Sequence, residues 1–253
     1  MEIVQIPALA DNYVYLLHEP ASGTTAAVDP PEAEGVLRAL AERGWVLTHI
    51  LNTHFHGDHV GGNLTLKSVT GCRIVGHATA REPIPGLDQP VDEGDCVRLG
   101  DSEARVLAVP GHTAGHVAYW LPATSRLFCG DTLFGMGCGR LLGGSAGQLW
   151  ASLQRLRQLP GDTLVYCAHE YTLNNGRFAL TVEPGNPRLV ERQQRTRALR
   201  EAGRPTVPSR LAEECDTNPF LRPESPAIRA SLGLEGASDL AVFSELRRRK
   251  DHF

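Results

Sequence analysis

Residues 52–62 read Asn52-Thr53-His54-Phe55-His56-Gly57-Asp58-His59-Val60-Gly61-Gly62. Three imidazoles and one carboxylate stand within six of these residues, and both side-chain types bind divalent metals. They close a β-rich run, WVLTHILNTH, at residues 45–54. In an extended chain, positions i and i+2 project to the same side. His54 and His56 are therefore expected to reach one ion together. A turn at Gly57 is expected to send Asp58 and His59 elsewhere, toward a second ion.

Three further candidates stand at the ends of expected strands: His112 in PGHTAGH, Asp131 in FCGDTLF and His169 in YCAHE. A tetrahedral zinc takes three or four ligands, so seven candidates point to two ions. Imidazole and carboxylate donors suit zinc, iron(II) and manganese, with zinc favoured, and no thiolate is in the set. A carboxylate can bridge two ions ~3.5–4 Å apart, and Asp131 is the expected bridge. Asp29 ends the strand TTAAVD; it reads either as an orienter of a ligand histidine or as a turn residue. His116 reads either as a neighbour of the ligands or as packing. His18, His49, His77 and His252 have no ligand-like context. Cys138, in GMGCGR, has no base paired with it and is read as structural.

The rest of the chain frames this cluster. Of 253 residues, 42% are hydrophobic and 21% charged, as in a folded chain of one large or two modest domains. Through residue 170 the sequence gives short apolar runs between Gly and Asp turns, with helices expected at 32–44, 62–71 and 146–162. Beyond Tyr171 strand-like runs cease, and long charged helices are expected at 186–203 and 239–251. Charge changes along the same line. Residues 1–170 carry 11 basic and 18 acidic residues, and residues 171–253 carry 14 basic and 11 acidic. The expected domains are thus 1–170, which holds the ligand candidates, and 171–253, which is helical. The six cysteines show no metal-ribbon spacing and are read as buried free thiols in a reducing, cytoplasmic compartment. No signal peptide and no apolar run near the ~18 residues of a membrane span are visible. The net charge of −4 gives no basic arm for nucleic acid. No separate interface element is visible, so a monomer is expected.

The motif T-H-x-H-x-D-H, followed by G-H-T-x-G-H, G-D and C-A-H-E, resembles the metallo-β-lactamase superfamily. That resemblance implies an α+β fold, an αββα sandwich with a binuclear site at one edge of its sheets. Residues 169–175 (HEYTLNN), 182–187 (VEPGNP), 217–222 (TNPFLR) and 242–253 (VFSELRRRKDHF) are similar to the glyoxalase II, or hydroxyacylglutathione hydrolase, family. This likeness extends through the C-terminal helical domain.

The resemblance implies one ion on His54, His56 and His112, and another on Asp58, His59 and His169, with Asp131 and a hydroxide between them. It also implies hydrolysis of S-2-hydroxyacylglutathione, S-D-lactoylglutathione foremost, to glutathione and a hydroxy acid such as D-lactate. That is the second step of methylglyoxal detoxification. The hydroxide would attack the thioester carbonyl, with Asp58 helping to orient it. Glutathione contacts map onto Arg140, Tyr171, Arg247 and Lys250. Leu142 stands where some relatives carry a glutathione-contacting Tyr. Other activities on this fold account for less of the sequence. A lactonase or β-lactamase leaves the basic C-terminal helix unexplained. A persulfide dioxygenase uses a single iron, and a non-enzymatic metal- or RNA-binding relative would want a basic arm.

Overall fold

The apolar runs at the start of the chain form a meander. Strands β1 (Glu2–Ala8) and β2 (Asn12–Glu19) pair antiparallel, as do β2 and β3 (Thr24–Val28). Helix α1 (Glu34–Arg43) stops at Gly44, which takes the left-handed φ of 67° that favours glycine. Strand β4 (His49–Leu51), helices α2 (Gly57–Val60) and α3 (Asn63–Thr70), and strands β5 (Arg73–His77) and β6 (Gln89–Val91) follow. β1 to β6 form one sheet in sequence order, with β3 to β6 parallel. Strand β2 is buried on both faces, which is why it reads as a continuous apolar run. Val14 and Leu16 share a core cluster with Val36, Ala39 and Leu40 of α1 and Leu66 of α3. Tyr15 turns the other way and meets Phe128 at 5.6 Å. Strands β7 (Cys96–Leu99), β8 (Ser102–Ala108), β9 (Val117–Leu121) and β10 (Arg126–Gly130) are antiparallel to their neighbours.

The later chain is mostly helical. A short hairpin joins β11 (Leu133–Phe134) to β12 (Gly137–Cys138). Helix α4 (Ala146–Leu156) begins with a capping box between Ser145 and Gln148. Strand β13 (Leu164–Cys167), helices α5 (Thr172–Val182) and α6 (Pro187–Glu201), strand β14 (Ser209–Arg210) and helices α7 (Leu211–Thr217), α8 (Pro226–Leu232) and α9 (Asp239–Asp251) complete it. Trp150 of α4 packs on Phe243 of α9, ring centroids 5.5 Å apart.

This computed structural model describes residues 1–77 and 83–253. The chain divides into two compact units, Met1–Ala108 with Gly115–Gly130, and Val109–Ala114 with Asp131–Phe253. Among the described residues, no helix is long and apolar enough to cross a membrane. The sequence expectations need three adjustments. The β-rich run 45–54 shrinks to His49–Leu51, so His54 lies beyond the strand. Helices α5, α7 and α8 were not expected; α5 carries Asn174, Asn175 and Gly176, poor helix formers that tertiary burial overrides. The cysteines are all free, but only Cys72, Cys129, Cys138 and Cys167 are buried; Cys96 is exposed and Cys215 intermediate.

Candidate metal centre

The first unit supplies His54, His56, Asp58 and His59. His54 lies in a bend and His56 immediately precedes α2. His54 Nε2 and His56 Nδ1 come within 2.9 Å, as the i, i+2 spacing predicted. The turn at Gly57 is the start of the one-turn helix α2. The His59 ring lies 4.0 Å from that of His54. Asp58 Oδ2 lies 3.6 Å from His59 Nε2.

Asp29 organises this group. It follows β3 in a left-handed conformation, φ 49°, which Asp tolerates better than most residues. Its carboxylate accepts hydrogen bonds from the Thr53 backbone N–H and hydroxyl, both at 2.7 Å, and lies 3.1 Å from His59 Nδ1. The Thr53 hydroxyl proton is thus committed to Asp29. Thr53 Oγ1 then accepts from His54 Nδ1–H at 3.1 Å, which leaves the lone pair on His54 Nε2. A proton on His59 Nδ1, facing Asp29, likewise leaves a lone pair on Nε2. One buried carboxylate therefore reaches His54 through Thr53 and lies beside His59 Nδ1, which favours the orienter reading of Asp29 over a simple turn role.

Sequence reading missed two asparagines here. Asn12 donates to the Asp58 backbone carbonyl at 3.1 Å and to its carboxylate at 3.3 Å. Asn52 donates to the His59 carbonyl at 2.9 Å and accepts from Asn63 at 2.7 Å. Neither belongs to a ligand pattern, so no local signal marked them. His116 is buried and stacks on His54 at 4.7 Å and 19°. Gly130, at φ 49°, lets the end of β10 approach these residues, since a Cβ there would lie 2.3 Å from Thr53 Oγ1.

The second unit supplies His112, Asp131 and His169. His112 Nδ1 donates to the Arg140 carbonyl at 2.8 Å, so its lone pair is on Nε2. The Asp131 carboxylate sits between two imidazoles. Oδ2 faces His112 Nε2 and Oδ1 faces His169 Nε2, each at 3.4 Å. That exceeds a normal N–H···O distance. It matches the separation, about 3.3 Å, of two ligands on a tetrahedral ion with ~2.0–2.1 Å bonds. The donor set therefore fits divalent ions. Each of the seven candidates offers a donor atom to a group of side chains able to hold one.

The expected substrate contacts also lie in this unit. Arg140 is exposed, as is Leu142. Tyr171 is 37% exposed and stacks on His169, centroids 4.8 Å apart and planes 4° apart. Arg247 is only 4% exposed and already committed. It donates to the carbonyls of Cys138 and Gly139 and to Asp251, and lies over the Phe220 ring at 5.2 Å. Lys250 is partly buried, its ammonium over the rings of Phe178 and Phe253. Burial first, then the positive charges of Arg247 and Arg140, push its pKa down to about 8. Burial pushes the Cys138 thiol up to about 11, against a nucleophilic role. The remaining histidines have ordinary contacts. His18 stacks on Trp45, burial and then the Arg73 charge lower the pKa of His49, His77 lies 3.7 Å from Asp92, and His252 Nδ1 bonds the Arg248 carbonyl.

Residues 19–169 match the metallo-β-lactamase superfamily, and residues 170–253 match the family described as the hydroxyacylglutathione hydrolase C-terminus. The chain is 63% identical over 253 residues to a hydroxyacylglutathione hydrolase of Methylococcus capsulatus, covering 100% of this chain and 99% of that one. Its fold is similar to the crystal structure of ETHE1 from Myxococcus xanthus, at TM-score 0.71 and 29% identity, covering 98% of this chain and 90% of that one. It is also similar to TTHA1623 in a di-iron-bound form, at TM-score 0.63 and 27% identity, covering 87% and 100%. The architecture is therefore α+β, a metallo-β-lactamase fold with a C-terminal helical domain.

Proposed function

This chain belongs to the hydroxyacylglutathione hydrolase family of the metallo-β-lactamase superfamily, and from that we infer an enzyme that cleaves the thioester of S-2-hydroxyacylglutathione. S-D-lactoylglutathione is the leading substrate, giving glutathione and D-lactate in the second step of methylglyoxal detoxification. The superfamily and the His and Asp donors imply divalent metal ions. We assign two, most readily zinc, with iron or manganese also suited to this donor set. His54, His56 and His112 would hold one ion, and Asp58, His59 and His169 the other, with Asp131 shared. When bound, such a pair would supply Lewis acidity and would lower the pKa of a water far enough to give hydroxide near neutral pH.

The chain's own residues prepare that chemistry. Asp29 and Thr53 hold His54 and His59 in the ligating tautomers. Asn12 holds the Asp58 carboxylate, which helps orient the attacking oxygen. Arg140 and Lys250 pair with the carboxylates of the anionic glutathione, and Tyr171 lines the approach beside His169. Arg247 completes the positive group while also supporting the backbone at Cys138. The leaving thiolate is a weak base, so the protein needs no strong general acid.

The observation that carries this reading is that His112 donates to the carbonyl of Arg140. A proposed ligand and a proposed substrate cation are thereby tied together within one compact unit. Residues 1–170 act as the catalytic domain and 171–253 as the substrate-binding domain. A cytoplasmic location accords with the six free thiols, and we take the enzyme to act as a monomer. The test compares rates on S-D-lactoylglutathione with those on a lactoyl thioester of a small uncharged thiol and on a lactone. The expected result is a strong preference, in kcat/KM, for the glutathione thioester. Equal rates on all three would refute the glutathione assignment.

A further inference from the structure

The segment between Asp131 and Arg140 is a hairpin too short to hold itself. Its strands β11 and β12 share two register pairs, Leu133↔Cys138 and Phe134↔Gly137. Hairpins of that size are marginal in water even with longer strands. At its tip Met136 takes a left-handed φ of 53°, uncommon for a residue other than glycine. Yet both ends bear on the ligands. Asp131 lies at one end, and at the other the Arg140 carbonyl accepts the His112 proton.

Side chains from the later helical region grip this hairpin through its backbone. Asn218 is fully buried and donates to the carbonyls of Phe134, at 3.2 Å, and Gly137, at 3.0 Å. Asn175 of α5 donates to the Gly135 carbonyl at 3.1 Å. Glu214 of α7, also fully buried, accepts the Met136 N–H at 2.9 Å. Its other oxygen accepts from Ser209 at 2.6 Å and from Arg192, which balances the buried charge. Arg247 of α9 donates to the Cys138 carbonyl at 2.8 Å. There is no slack at Gly137, where a Cβ would lie 2.4 Å from Asn175 Nδ2. Each contact is to backbone, so the grip fixes the path of the hairpin whatever its side chains.

We propose that Asn218, with Asn175 and Glu214, is a positioning residue that holds the 133–139 hairpin so that Asp131 and His112 keep their ligating geometry. This gives a role to the TNPF stretch and to Asn175 of the YTLNN stretch, none of which is a proposed ligand. Thr217 accepts from Arg192 at 2.6 Å, Asn218 grips the hairpin, and Phe220 underlies Arg247. The helical region would then set metal affinity as well as bind substrate. The proposal rests on the hydrolase reading for its kinetic consequence, but not for its metal readout.

The test compares Asn218→Ala and Asn175→Ala with Val242→Ala, a buried α9 substitution that makes no side-chain hydrogen bond to the hairpin. Thermal midpoint, zinc dissociation constants by chelator competition, kcat and KM are measured on the full chain. Asn218→Ala is expected to weaken zinc binding about 10-fold or more, in the range seen when supporting hydrogen bonds of ligands are removed. Its kcat should fall more than its KM rises. Asn175→Ala, which loses one contact, should shift the same way by less, and it carries the test if Asn218→Ala does not fold. Val242→Ala should lose as much thermal stability with unchanged zinc affinity. Wild-type zinc affinity in both Asn variants, or an equal loss in Val242→Ala, would overturn the proposal. If the wild type turned over no thioester while Asn218→Ala still bound zinc weakly, the hydrolase reading would fall and the positioning role would stand.

Discussion

The proposed ligands of the first unit and those of the second are built on different plans. His54, His56, Asp58 and His59 come from one short stretch and are oriented from directly behind by Asp29. His112, Asp131 and His169 come from three separated segments, and the hairpin between Asp131 and Arg140 is held by helices far along the chain. A contiguous ligand set needs one well-placed carboxylate. A scattered set needs a scaffold, and the C-terminal helices supply it. A change near the first set should therefore act locally, and a change near the second should reach ligands and substrate contacts together.

The sharpest way to break this contrast is Asp131→Ala. It should lose both ions, or nearly so, and lower turnover by at least about 10³-fold, as the loss of several kcal/mol of charge stabilisation requires. Metal analysis that still found two ions would refute the shared-ligand role. Asp29→Asn tests the first unit alone. Asn tolerates the left-handed backbone, so the substitution isolates the charge. Metal affinity should fall by roughly 10- to 100-fold, read by chelator competition, with the thermal midpoint little changed.

Arg247→Ala and Lys250→Ala should both raise KM more than they lower kcat. Arg247→Ala should also destabilise the fold by roughly 1–3 kcal/mol, because the buried Cys138 carbonyl loses its donor. Chemical denaturation separates the two variants. The reverse kinetic pattern would remove both residues from substrate binding.

Lys250 adds a pH signature. Its pKa, pushed down to about 8, means the cation is present below that pH and lost above it. Thus kcat/KM should fall as pH rises through about 8. Fold stability should move oppositely, rising from about pH 8 toward the ordinary lysine pKa, because there the unfolded chain still holds the proton. Lys250→Arg, always charged, should abolish both trends. A fall in kcat/KM of unchanged size in that variant would assign it to another group. The smallest effect belongs to Arg248→Ala. Arg248 is exposed and pairs only with Glu245 among the described residues, so stability should stay within about 0.5 kcal/mol and KM should be unchanged.

The two plans also explain what could be read from the chain in advance. The nearness of His54 and His56 was legible because they are two residues apart, although the extended run that suggested it stops at Leu51. The turn expected at Gly57 takes the form of α2, a single helical turn that local pattern barely marks. Helices α6 and α9 were legible from their charged composition, whereas α5 was hidden by its Asn and Gly. Asp29 was an open choice in the sequence, and its bonds to Thr53 and its 3.1 Å approach to His59 Nδ1 favour the orienter role. Asn12, Asn52 and Asn218 could not be found from sequence, since each acts on backbone carbonyls brought near by the fold. Arg247 was expected to face substrate. Its burial and its bonds to Cys138 and Gly139 give it a supporting task that its place in a basic run does not reveal.

The most direct test is to measure thioester loss from S-D-lactoylglutathione by the purified protein while counting its metal ions. The account predicts turnover that rises as metal-free protein is loaded and reaches its full value at two divalent ions per chain. Two ions bound with no turnover, or full turnover at one ion, would contradict it.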